Sequence, residues 1–141
     1  MSRKQTLTEA FRKFGARPAN PQWSVSAISP EGELVVSCWN LRDYLYRSDD
    51  ALVYRDRISR WPGSLGNQKL AEHLQEAWER KLPVRLIQAT PDDPVLAKDV
   101  IENGADASSL KKHFHAREDL LGTFATFKDK DVFTFEFRKN P

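Results

Sequence analysis

RDRISRWPGSLGNQKLAEHLQEAWERKL, residues 55–82, holds the densest run of arginines in the chain, a tryptophan beside a glycine-bearing turn, and the clearest helix. Leu70, Ala71, Leu74, Ala77 and Trp78 recur at helical spacing and predict one apolar face. Asn67 stands where a helix N-cap belongs, because its short side chain can accept from free first-turn amides. Glu76 and Arg80 form an i, i+4 pair in the favourable order, and Pro83 forbids continuation. The expected helix runs from 67 to 81.

Ahead of that cap, Pro62, Gly63 and Gly66 flank a turn, with Arg55, Arg57, Arg60 and Trp61 just before it. Free amides at a helix start, ringed by guanidinium groups, suit an anion. GSLGN is no phosphate-binding fingerprint, however, since it lacks the Lys-Ser/Thr that follows one. An ordinary loop with solvated arginines and Trp61 in the core accounts for the same residues.

Working outward, Thr6 and Glu9 make a capping-box pair for a short helix over 6–14 that Gly15 ends. Residues 22–39 read as a hairpin turning at Pro30 and Gly32, with Ser24, Ser26 and Ser37 expected on one sheet face. Leu41, Tyr44 and Leu45 suit a turn or two of helix closed by Asp49-Asp50, and ALVY (51–54) a short strand. PVRLIQAT (83–90) is apolar on both faces and reads as a central strand. Asp93 caps, and Pro94 opens, a helix that Gly104 stops; Asp106 caps a second short helix, ASSLKKHF. LLGTFATF and VFTFEFRK close the chain as a hairpin, with Phe133, Phe135 and Phe137 on one face. The expected fold is a single α+β domain: a curved, mostly antiparallel sheet of five or six strands, preferably a partly closed barrel, with flanking helices.

The 141 residues suffice for a real core, and 40% are hydrophobic, which argues for a packed protein. Lys plus Arg number 22 against 20 acids, so the net charge of +2 excludes a globally basic coat but permits a local patch. Cys38, the one cysteine, cannot form an internal disulfide and suits a reducing compartment; no apolar run approaches membrane-spanning length. A soluble cytoplasmic protein is the expectation.

No catalytic signature stands out. His113 and His115 can share a metal if the chain is extended there, but a third ligand is wanting, with His73, Asp106 and Glu118 the candidates. Cys38 lies mid-strand and reads as a buried thiol. Asp131, Glu136 and Lys139 are poorly spaced for a metal-dependent nuclease. Neither a metal nor a cofactor is expected.

The leading expectation is a non-catalytic nucleic-acid-binding module, with DNA favoured. Arg42, Arg47, Arg55, Arg57 and Arg60 interleave with Tyr44, Tyr46, Tyr54 and Trp61. Guanidinium groups suit phosphate and aromatic faces suit bases. The expected contact set is Trp39, Asn40, Arg42, Arg55, Arg57, Arg60, Trp61, Asn67, Lys111 and Lys112. Asp43, Asp49, Asp50 and Asp56 lie in the same segment and are available to pair with those arginines. The alternatives are a protein–protein adaptor or inhibitor using the same aromatic-rich surface, and a small metal-dependent hydrolase built on His113 and His115.

Overall fold

The computed structural model describes residues 6–18, 24–60, 65–103 and 110–140. Its elements are α1 (Leu7–Lys13), β1 (Ser26–Ile28), β2 (Leu34–Trp39), β3 (Leu45–Ser48) and β4 (Ala51–Arg57). After a 3-10 turn (Ile58–Arg60) come α2 (Leu65–Arg80), β5 (Val84–Pro91), α3 (Pro94–Glu102), β6 (Lys112–Ala116), β7 (Leu120–Lys128) and β8 (Val132–Lys139). The eight strands form one sheet ordered β1-β2-β5-β7-β8-β4-β3, with β6 also paired to β5. Among the described strands only β2 and β5 run parallel; the other pairs are antiparallel.

The α+β class stands, with two corrections. Among the described residues the strand count is eight rather than five or six, and the sheet is not closed into a barrel. Both extra strands arise where short helices were expected. Leu41, Tyr44 and Leu45 do have helical spacing, but only Arg42–Tyr44 form a turn; Leu45–Ser48 then pairs with Ala51–Tyr54 as a hairpin. The tight turn is possible because Asp49 accepts a φ of 51°, a conformation that aspartate tolerates better than most residues. The other extra strand overlaps the helix expected over 107–114: Lys112–Ala116 is extended and satisfies the end of β5, while Ala107, Ser108 and Ser109 lie outside the described residues.

Alternation explains the two faces. Along β8, Phe133, Phe135 and Phe137 point inward and are at most 2% exposed; each such burial contributes about 1.5–3 kcal/mol. They meet Tyr54, Phe124, Leu34, Val36 and Leu86 in the main core. α2 closes this inner face with Leu70, Leu74 and Ala77. Trp78 stays 39% exposed, its ring edge-on to Phe124 at 5.2 Å. On the outer face α1 packs Ala10, Phe11 and Phe14 against Ala27, Val35, Ile87 and Ala116. That helix carries the expected capping box between Thr6 and Glu9. It therefore covers the β1-β2-β5-β6 part of the outer face, and the β3-β4-β8 part carries no helix among the described residues.

Serines 24, 26 and 37 do not share a face. Ser26 stands opposite Val36, so it belongs to the inner face, whereas Ser37 alternates to the outer one. Ser26 lies beneath α2 and its Oγ is 2.8 Å from His73 Nδ1. Among the described residues no helix is long and apolar enough to cross a membrane.

Candidate nucleic-acid interface

The expected contact residues separate into three groups. The first collapses into a buried ion pair. Arg60 donates through Nε to Asp56 Oδ1 at 2.8 Å and through Nη2 to Asp56 Oδ2 at 2.6 Å. Tyr54 donates its hydroxyl to the same Oδ2 at 2.7 Å, and the Arg60 guanidinium sits 5.2 Å from the Tyr44 ring centroid. Burial works against the charge on Arg60, but the hydrogen bonds and charge of Asp56 outweigh it and raise its pKa above the ordinary guanidinium value. Burial, reinforced by Asp56, pushes the Tyr54 phenol and the Cys38 thiol well up. Arg60 is thus corrected from a phosphate-gripping surface residue to a buried, neutralised one, 8% exposed.

Asn67 follows it inward. It lies inside the first turn of α2 rather than at the cap, because the helix starts at Leu65, and its Nδ2 donates to Ile58 O at 3.0 Å. Ser59, between Ile58 and Arg60, donates through N and Oγ to the two Asp131 oxygens, each at 2.7 Å. Partial burial alone would raise the Asp131 pKa; the Ser59 bonds hold it below the usual carboxylate range. The 3-10 turn Ile58–Arg60 is therefore held by two carboxylates, Asp131 through Ser59 and Asp56 through Arg60. Trp61, Pro62 and Gly63 lie outside the described residues.

The second group gathers where the parallel strands β2 and β5 end. Trp39 is only 9% exposed, with Lys112 Nζ 5.8 Å from its ring centroid; an exposed indole for a base is not what this position offers. Lys112 also donates to Leu110 O at 3.1 Å. Asn40 is exposed and donates to Thr90 Oγ1 at 3.1 Å, and Thr90 stands opposite His113. Arg42 and Lys111 are exposed nearby in sequence. His113 and His115 lie on extended β6, as metal sharing would require, and His113 Nδ1 is 3.7 Å from Asp92 Oδ1. Yet among the described residues no three His, Cys, Asp or Glu side chains come together, and His73 is engaged at Ser26.

The third group lies on the outer face of β3, β4, β8 and β7, which carries no helix among the described residues. Residues directly opposite in antiparallel strands share a face, so the register gives its rows. Lys128, Val132 and Arg57 form one; Thr126, Thr134 and Arg55 the next; Thr123, Glu136, Val53 and Tyr46 a third; Leu121 and Arg138 begin a fourth. A bulge between Phe124 and Thr126 keeps both Thr123 and Thr126 outward. Arg55 and Arg57 are exposed, and among the described residues neither side chain makes a hydrogen bond or close ion pair; Arg57 exerts only a longer-range pull on Asp131. Arg138 is engaged with Glu136 at 3.3 Å and Asp50 at 3.5 Å. A hollow of about 300 Å³ adjoins this face at Leu121 and Thr123, with Lys81, Leu82 and Pro83 on its other side.

Sequence reasoning named Arg55 and Arg57 but attached them to a helix start; their two-residue spacing within a strand was the signal that they share a sheet face. It did not place Lys128 or Thr134 with them, because only strand register does so. Fold and surface together define an α+β protein with an open, mostly antiparallel sheet and one partly basic face that carries no helix among the described residues. Compared with protein-family models, curated proteins and solved structures, the chain matches none.

Proposed function

We propose that this protein is a non-catalytic nucleic-acid-binding module whose contact surface is the outward face of β3, β4, β8 and β7. The observation that carries the reading is the pair Arg55 and Arg57, outward on one strand, with Lys128 on the same cross-strand row as Arg57, two strands away across Val132. Three cations fall on two adjacent rows, with the small hydroxyls of Thr126 and Thr134 among them. Guanidinium forks bind phosphate in two-pronged fashion, and threonine hydroxyls add hydrogen bonds to phosphate or sugar. Glu136 lies one row away and is engaged with Arg138, so it opposes a polyanion less than a free carboxylate.

Fluorescence anisotropy with labelled DNA and RNA oligonucleotides tests this. Binding should be measurable at about 50 mM salt and weaken steeply by about 200 mM, because each neutralised phosphate releases counterions. No binding at low salt, or binding indifferent to salt, overturns the reading.

A protein partner is the second reading, and one observation favours it. Val95 and Leu96, in the first turn of α3, are 81% and 50% exposed. Two adjacent apolar side chains in solvent suit an interface core. Capture of a binding protein that is lost with Val95→Asp and unaffected by Arg55→Gln would favour this reading over the first.

A further inference from the structure

Resting on that reading, we infer that the ligand class is single-stranded nucleic acid, with a splayed base stacked on Tyr46. Four large apolar side chains stay exposed among the described residues: Tyr46, Trp78, Val95 and Leu96. Tyr46 is the one on the arginine-bearing face. It stands opposite Val53, and Arg55 is the next residue of β4 on that face, so Tyr46 and Arg55 are diagonal neighbours. Tyr46 is 38% exposed on β3, the last strand of the sheet path. Nothing in the core requires an aromatic residue there: the inward positions of the hairpin are already filled by Leu45, Leu52 and Tyr54.

The chemistry separates single strands from duplexes. In a duplex the base faces are stacked on one another, and a protein reaches only base edges and backbone. An aromatic ring on a sheet surface gains from nucleic acid only when a base is unstacked and laid against it. Arg55 and Arg57 repeat every second residue along β4, which gives them the same outward direction a few ångströms apart. A flexible single strand can follow such a row while delivering a base to Tyr46. Among the described residues the face carries no projecting helix that would enter a major groove.

The test compares a labelled oligothymidylate with a duplex of equal length, using the full chain and its Tyr46→Phe and Tyr46→Ala variants at about 50 mM salt. The inference predicts tighter binding to the single strand. Tyr46→Phe should retain it, and Tyr46→Ala should weaken it about tenfold. Circular dichroism identifies any variant that has lost its fold, and Tyr46→Phe keeps the ring in place should the alanine variant fail. Equal affinity for the duplex, or single-strand affinity unchanged by Tyr46→Ala, overturns the stacking assignment while leaving the basic face as a nucleic-acid surface. Absence of binding to either oligonucleotide overturns both.

Discussion

Arg60 closes a two-pronged ion pair on Asp56, four residues earlier, with both side chains at most 5% exposed. Charges this deep hold the native state only as a pair. Removing one partner leaves the other buried and uncompensated, at a cost of about 3–5 kcal/mol. Arg60→Ala and Asp56→Ala should each lower stability by that order in urea denaturation. Replacing both with apolar side chains of similar volume should cost far less than the sum. Near-additive losses would show that the pair does not act as a unit.

Gly122 owes its identity to Phe137. A Cβ there would lie 2.5 Å from two carbons of the Phe137 ring and 3.0 Å from Val84 O. Phe137 is fully buried, so its ring has nowhere to retreat. Gly122→Ala should therefore destabilise by about 1–3 kcal/mol through overpacking, read as a lower urea midpoint with unchanged slope.

His73 gives stability a pH dependence. Burial, then the charge of Lys69, lowers its pKa from the ordinary 6.5. The unfolded chain thus takes up a proton more readily than the folded one, and stability rises with pH across this window. The contribution is fully present above about 6.5 and is lost as pH falls through the folded value. Below pH 6.5 the parent protein should lose stability more steeply than His73→Gln. Parallel curves would remove His73 from the account.

Much of the architecture is readable from residues alone, and the exceptions have physical causes. The phenylalanines at 133, 135 and 137 mark a half-buried strand, and Thr6 with Glu9, and Asp93 with Pro94, mark helix starts that the structure retains. β5 is central as its two apolar faces imply, flanked by β2 on one side and by β6 and β7 on the other. β3 and β6 left no such mark. Three of the four β3 residues are exposed, so its alternation is invisible, and β6 is extended because β5 offers it unpaired backbone groups. That partner lies about twenty-five positions away in sequence, beyond any local pattern. At the surface, Asp56 was recognisable as a competitor for the nearby arginines. That it takes Arg60 rather than Arg55 or Arg57 follows from strand parity: Asp56 points inward between two outward arginines, and the turn after β4 brings Arg60 back over it.

The most direct test of the central claim is the salt dependence of single-strand binding in Arg55→Gln/Arg57→Gln compared with the parent protein. Both side chains are exposed and engage no close partner among the described residues, so folding stability should change by less than about 0.5 kcal/mol. If each guanidinium neutralises one phosphate, the slope of log affinity against log salt should become shallower by about 1.4, with weaker binding at every salt concentration. An unchanged slope and affinity in a normally folded double variant would contradict the claim that this sheet face holds nucleic acid.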